Sequence, residues 1–118
     1  MKNQINTYFE ERIAACQAAA AALNADNRAD EAVFEKIRMN VFDIFRTVYN
    51  AGEKVSGGDP AKQLSFLRHR LEEIPAGWRT SLEMAQSHDN SEKAHIEQLK
   101  LNVVDEIRQK MPEWSEAK

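Results

Sequence analysis

Apolar residues recur at steps of three and four along most of this 118-residue chain, and this spacing restricts the fold more than any other feature. Such a spacing places apolar side chains on one face of an α-helix, whereas a half-buried strand alternates at every second residue. Runs of β-branched residues are missing, and only four glycines and three prolines interrupt the pattern. The sequence therefore predicts an all-α protein.

The first half of the chain is predicted to form a helical hairpin over about residues 3–51. Asn27 lies between the two apolar stripes of this hairpin. We expect it to cap the second helix, because asparagine accepts backbone hydrogen bonds at helix N-termini. Gly52 is expected to end that helix. A flexible, glycine-containing loop at 52–59 then leads into the second half.

A second helical hairpin is predicted over about residues 60–111. Proline lacks an amide hydrogen and disfavours helical geometry in the residue before it, so we expect the third helix to be broken or kinked near Pro75. Asp89, followed three residues later by Glu92, fits a capping box at the start of the last helix. Pro112 is expected to end that helix.

The two predicted hairpins resemble each other at an offset of 62 residues, since residues 35–43 align with residues 97–105. This likeness reflects either an internal duplication or the chance similarity of two amphipathic helices. Four helical rods with short connections pack most simply as an up-down four-helix bundle. A chain of this length forms one domain, so the prediction is a single bundle over residues 1–118, built from two similar hairpins.

Composition and charge limit the classes of function. A net charge of −3 and a pI near 5.6 argue against a nucleic-acid partner, which would require a basic surface. No segment approaches the ~20 apolar residues of a membrane span, and the polar N-terminal residues do not resemble a signal peptide. The single cysteine, Cys16, cannot form an internal disulfide. We therefore expect a cytoplasmic protein with neither a membrane nor a nucleic-acid partner.

Four side chains are candidate metal ligands: His69, His88, His95 and Glu92. Glu92 and His95 are three residues apart, which places them on adjacent turns of one helix. Carboxylate-bridged metal sites in bundles require two such pairs, and this chain has one. The sequence therefore predicts no catalytic residue, metal or cofactor. A metal-binding or small-molecule-binding enzyme that uses these four side chains inside the bundle remains the alternative.

The apolar sector of the second helix is wider than a surface helix requires, so this helix is either central in the fold or shared with a partner chain. Five residues are interface candidates: Met39, Phe42, Tyr49, Leu101 and Trp114, the last of them in a short predicted tail at 112–118. Aromatic and methionine side chains are enriched at contact surfaces, but internal packing explains each of these residues equally well. We expect a small helical protein that acts by protein–protein contact, with a second copy of itself or another protein as its partner.

Overall fold

The computed structural model describes residues 2–116, and the described chain is almost entirely helical. The helices are α1 (Lys2–Ala25), α2 (Ala29–Val55), α3 (Pro60–Glu73), α4 (Pro75–Ser87) and α5 (Ser91–Glu116). Helices α3 and α4 form one rod with a bend of 19° between them, so four rods pack as a bundle. The predicted all-α bundle with a kink near Pro75 is confirmed. Within residues 2–116, no helix combines the length and the apolar character that crossing a membrane requires.

Helix α2 is the central helix of the bundle, because it packs against α1, α3 and α5. Its side chains Val41, Phe42, Phe45 and Tyr49 are all buried and form the middle of the core. Of the two explanations for the wide apolar sector of this helix, a central position therefore accounts for most of it. One edge of the sector is not covered by the other helices.

Gly52 lies inside α2 and does not end it, so the predicted boundary is wrong. The helix continues to Val55, and the loop predicted at 52–59 is reduced to 56–59. A Cβ atom on Gly52 would lie 2.8 Å from Cδ2 of Phe66 on α3. Glycine at this position therefore allows α3 to pack closely against α2.

The two hairpin connections have the same backbone geometry. Asn27 and Asp89 both adopt the left-handed conformation, with φ values of 59° and 54°. In each connection the next residue donates its N–H to a carbonyl five residues earlier, at 2.8 Å in both cases. The equivalent positions are 62 residues apart, which is the offset at which the helix sequences align. The two hairpins therefore share their turn and their helix register.

This geometry corrects both predicted caps. Asn27 ends α1 and does not cap α2, because a left-handed residue terminates a helix. In the second connection Asn90 caps α5, since its Oδ1 accepts a hydrogen bond from the Lys93 amide at 3.1 Å. The capping box predicted from Asp89 and Glu92 is therefore wrong by one residue. Asparagine and aspartate favour caps and left-handed turns alike, so their presence alone does not separate the two roles.

Pro112 lies inside α5, and the predicted end of the helix at this residue is wrong. Met111 and Trp114 on either side of it are buried, so their packing holds the turn that proline weakens. The predicted tail at 112–118 is thus helical as far as the structure describes it, and residues 117–118 lie outside the described part.

Pro75 has no amide hydrogen to donate to the carbonyl of Leu71, four residues earlier. Arg108 of α5 replaces that donor, since its Nη2 donates a hydrogen bond to the Leu71 carbonyl at 3.1 Å. The backbone bond lost at the bend between α3 and α4 is therefore compensated by a side chain from a different helix.

Replacing Gly52 by alanine is expected to lower the free energy of unfolding by up to about 2 kcal/mol. Overpacking against Phe66 costs roughly 1–3 kcal/mol, which outweighs a gain of about 1 kcal/mol in helix propensity. Gly77 in α4 provides the control, because a Cβ atom added there would meet no neighbouring atom within 4 Å. The Gly77→Ala variant should therefore gain roughly 0.5–1 kcal/mol. Urea unfolding followed by circular dichroism measures both, and equal effects would contradict the close packing of α3 on α2.

Candidate functional site

The four side chains considered as metal ligands do not come together. His69 is exposed on α3 and lies 3.3 Å from a glutamate one turn away. His88 follows α4, with its Nδ1 2.8 Å from a backbone carbonyl. His95 packs edge-on against Phe34, with ring centroids 4.7 Å apart, and Glu92 is exposed in the first turn of α5. Within the described residues, no three His, Cys, Asp or Glu side chains are grouped as metal ligands.

An open groove of about 510 Å³ lies where α4 connects to α5. Apolar side chains line part of it, and polar side chains from the connection line the rest. Of the four candidate metal ligands, His95 alone lines this groove. The groove therefore does not assemble the set of histidines that the metal-site alternative requires.

Three of the five predicted interface residues lie in the core of the single chain. Phe42, Tyr49 and Trp114 expose none of their surface, so the chain as folded does not present them to a partner. Burial also raises the pKa of the Tyr49 hydroxyl. Met39 and Leu101 are partly buried at equivalent positions of the two hairpins. Internal packing accounts for the three buried aromatic side chains.

A network of polar side chains joins α1 to α5. The carboxylate of Glu106 accepts a hydrogen bond from the Tyr8 hydroxyl and two from Arg12, from Nε at 3.0 Å and from Nη2 at 3.2 Å. Burial and the neighbouring carboxylate raise the pKa of Tyr8. Burial lowers the pKa of Arg12, but Glu106 outweighs it and raises that pKa overall. The network ties two helices together. In the sequence, this network is indicated only by the spacing of Tyr8 and Arg12, which lie one helical turn apart.

Cys16 is buried beside this network and is 3% exposed. Burial and the nearby carboxylate of Glu35 raise the pKa of its thiol. A thiol with a raised pKa stays protonated, and a protonated thiol is a weak nucleophile. Cys16 is therefore a core residue, and its thiol is not suited to act as a nucleophile.

The candidate functional site is a row of β-branched apolar side chains on the surface of α2, called the α2 stripe below. Its members are Val33, Ile37, Ile44, Val48 and Val55. They follow one another at steps of four and seven residues, so they lie on one side of the helix over about 33 Å. Val33, Ile44 and Val55 are 49%, 38% and 71% exposed, and the other two members are partly buried. Single exposed apolar residues are common on proteins, so the alignment of these residues in one row is the feature that makes this surface a candidate site.

The second hairpin provides an internal comparison for this surface. Its equivalence to the first extends to side chains, because the ion pair between Glu35 and Arg38 on α2 is repeated 62 residues later by Glu97 and Lys100 on α5. Both pairs are three residues apart within their helix, with N–O distances of 2.6 Å and 3.2 Å respectively. Positions on α2 and α5 can therefore be compared one by one.

At the α5 positions equivalent to residues 33, 37, 44 and 48, the chain carries His95, Leu99, Glu106 and Lys110. Three of these four side chains are polar. The Glu106 carboxylate is hydrogen-bonded to α1. The Lys110 ammonium lies 5.7 Å from the centre of the Tyr8 ring, which is also on α1. The fold therefore does not require apolar residues at these positions, and the apolar α2 stripe is specific to the first hairpin.

Replacing Glu106 by glutamine is expected to lower the free energy of unfolding by about 1–2 kcal/mol. The glutamine loses the negative charge that strengthens the bonds from Arg12, and these groups are partly solvent-screened. Glu113 on the same helix forms an exposed ion pair with Lys110, also in α5, so Glu113→Gln should change stability by less than about 0.5 kcal/mol. Chemical denaturation of both variants measures the difference. A loss no larger than that of the control would contradict the proposed tie between α1 and α5.

Stability is expected to fall at alkaline pH partly because of Tyr8. Its pKa is raised in the folded chain, so above about pH 10 the unfolded chain loses a proton that the folded chain retains. The stabilisation is therefore complete below pH ~10 and is lost as the pH rises further. The Tyr8→Phe variant should show a shallower loss in unfolding experiments between pH 8 and pH ~11. A loss as steep as in the unmodified chain would remove Tyr8 as the cause.

Comparison of the chain with protein-family models, curated protein sequences and solved structures gave no match. The assignment of the α2 stripe as a site therefore depends on its exposure and its alignment, and on the contrast with the second hairpin.

Proposed function

We propose that this protein acts by binding another polypeptide through the α2 stripe. The observation that carries the proposal is the exposure of Val33, Ile44 and Val55 in one aligned row on the central helix. Exposed apolar side chains in a row contribute little to the stability of the single chain. They stabilise a complex, because a partner removes them from water.

The stripe lies on a rigid support. The adjoining side of α2 carries Val41, Phe42 and Phe45, which are 2% exposed or less and are held in the core. A surface that is already ordered loses little conformational entropy when a partner binds. Charged side chains lie beside the stripe at Lys36 and Asp43, which matches the polar rim of known protein contacts.

The free energy that a partner gains by burying the exposed apolar side chains is small, which favours a reversible contact. Completing the burial of a half-exposed valine or isoleucine contributes about 1 kcal/mol, so the three exposed residues supply about 3 kcal/mol. The loss of free motion on association costs at least about 4 kcal/mol. The surrounding rim must supply the remainder, and the expected complex is therefore weak and reversible.

The alternative, a metal-dependent or small-molecule enzyme, has less support. It needs His69, His88, His95 and Glu92 to converge, but His69 lies on α3, His88 follows α4 and His95 lies on α5, and no three such ligands are grouped within the described residues. We therefore favour a contact module over an enzyme that uses these side chains.

The double variant Val33→Gln/Ile44→Gln tests the contact function. Glutamine is a good helix former and both positions are exposed, so stability should change by less than about 1 kcal/mol. Proteins that are cross-linked in cells to the tagged, unmodified chain should not be cross-linked to this variant. Met84 on α4 is 57% exposed and lies outside the stripe, so Met84→Gln provides the control and should retain them. An identical set of cross-linked proteins for all three chains would refute the α2 stripe as a contact surface.

A further inference from the structure

We infer that the polypeptide bound by the α2 stripe is a second copy of this chain, which contacts the part of the stripe within residues 33–44 with the two α2 helices antiparallel. The inference deepens the proposed function and rests on it, since both use the same surface. It depends on a self-complementary pair of charges beside the stripe, Lys36 and Asp43. Lys36 is exposed, and the side chain of Asp43 is 51% exposed.

The exposed side of α2 contains a short heptad pattern. Ile37 and Ile44 are seven residues apart and occupy one of the two seam positions of a coiled coil. Val33 and Asn40 are also seven residues apart and occupy the other position. Both positions lie on the solvent side of the bundle, because Val33, Asn40 and Ile44 are exposed.

An antiparallel pairing of two such helices places the two seam positions opposite each other. Val33 of each copy then lies beside Ile44 of the other, and Ile37 lies beside Asn40. Two-fold symmetry repeats every contact, so the interface is closed and uses one patch on each copy. Asn40 contributes a polar group near the axis, and a single polar residue in a seam fixes the register of the pairing.

In this register Lys36 of each copy faces Asp43 of the other, and two ion pairs form. In a parallel pairing, Lys36 and Asp43 would instead face residues five positions further along the other copy, which are Val41 and Val48. Only the antiparallel arrangement therefore pairs the charges. Asp43 already accepts a hydrogen bond from Arg46 in its own helix, but a carboxylate has enough lone pairs to accept a second donor.

The charge pattern distinguishes a second copy from an unrelated partner. One chain carries both the cation and the anion at the spacing that an antiparallel copy requires. Partly exposed ion pairs add little affinity on their own. Their main effect is to select the register and to disfavour arrangements that bring like charges together.

Sedimentation equilibrium over a concentration series tests the inference with the full-length chain. We expect a reversible dimer that weakens as salt concentration rises. The K36D variant would bring negative charges together at both ends of the contact, and D43K would bring positive charges together. Each variant alone should therefore dimerise about tenfold more weakly.

An equimolar mixture of K36D and D43K gives the decisive result. One chain then presents two negative side chains and the other presents two positive ones, so a heterodimer regains both ion pairs and should be as tight as the unmodified dimer. K54D provides the control. It changes the same charge on the exposed side of α2 but lies beyond the residues in contact, so its dimerisation should match that of the unmodified chain.

Three results would overturn the inference: a monomer at every concentration, a dimer that neither single variant weakens, or a mixture no tighter than the single variants. The proposed function has a separate readout. If the purified chain is a monomer but cross-linked proteins are still lost with Val33→Gln/Ile44→Gln, the stripe binds another protein and only the second-copy inference fails. If neither dimerisation of the purified chain nor cross-linking in cells depends on the stripe, the proposed function fails as well.

Discussion

The packing of α2 against three other helices is the interaction on which the rest of the structure depends. Phe42, Phe45 and Tyr49 are fully buried there, and burying each such side chain stabilises the fold by about 2–3 kcal/mol. Helices α1, α3 and α5 pack directly against α2, and α4 is held mainly by its contacts with α5. The α2 stripe lies at the edge of this buried face, and its exposed members therefore lie on a helix that the core holds in place.

The two hairpins pack differently at equivalent positions. Gly52 on α2 and Trp114 on α5 are 62 residues apart and occupy equivalent positions. The glycine lets α3 approach α2, whereas the indole is buried between α5 and α1 and keeps their backbones further apart. Long polar side chains span the wider gap, with Glu106 of α5 bound to Tyr8 and Arg12 of α1. A near-symmetric backbone therefore supports two dissimilar surfaces.

Helix content, the bundle and the bend at Pro75 followed from the sequence, because apolar periodicity and proline act locally. The predicted ends at Gly52 and Pro112 were wrong because tertiary packing overrode the local signal at both residues. Phe42 could not be assigned to the core or to an interface from its type, since burial depends on which helix covers it. The bond between Tyr8 and Glu106 joins residues 98 positions apart, and periodicity within single helices carries no information on such pairs.

An apolar stripe exposed on a helix is less prone to non-specific association than one on a strand. Away from its ends, the backbone hydrogen bonds of a helix run within the helix, so the stripe cannot recruit chains by edge pairing as an open strand does. Its apolar area is small, and charged side chains flank it, which limits non-specific association. The core side of α2 is buried within the single chain, so the bundle core is complete without a partner on the stripe. A surface of this kind suits a contact that forms and dissociates while the bundle itself stays folded.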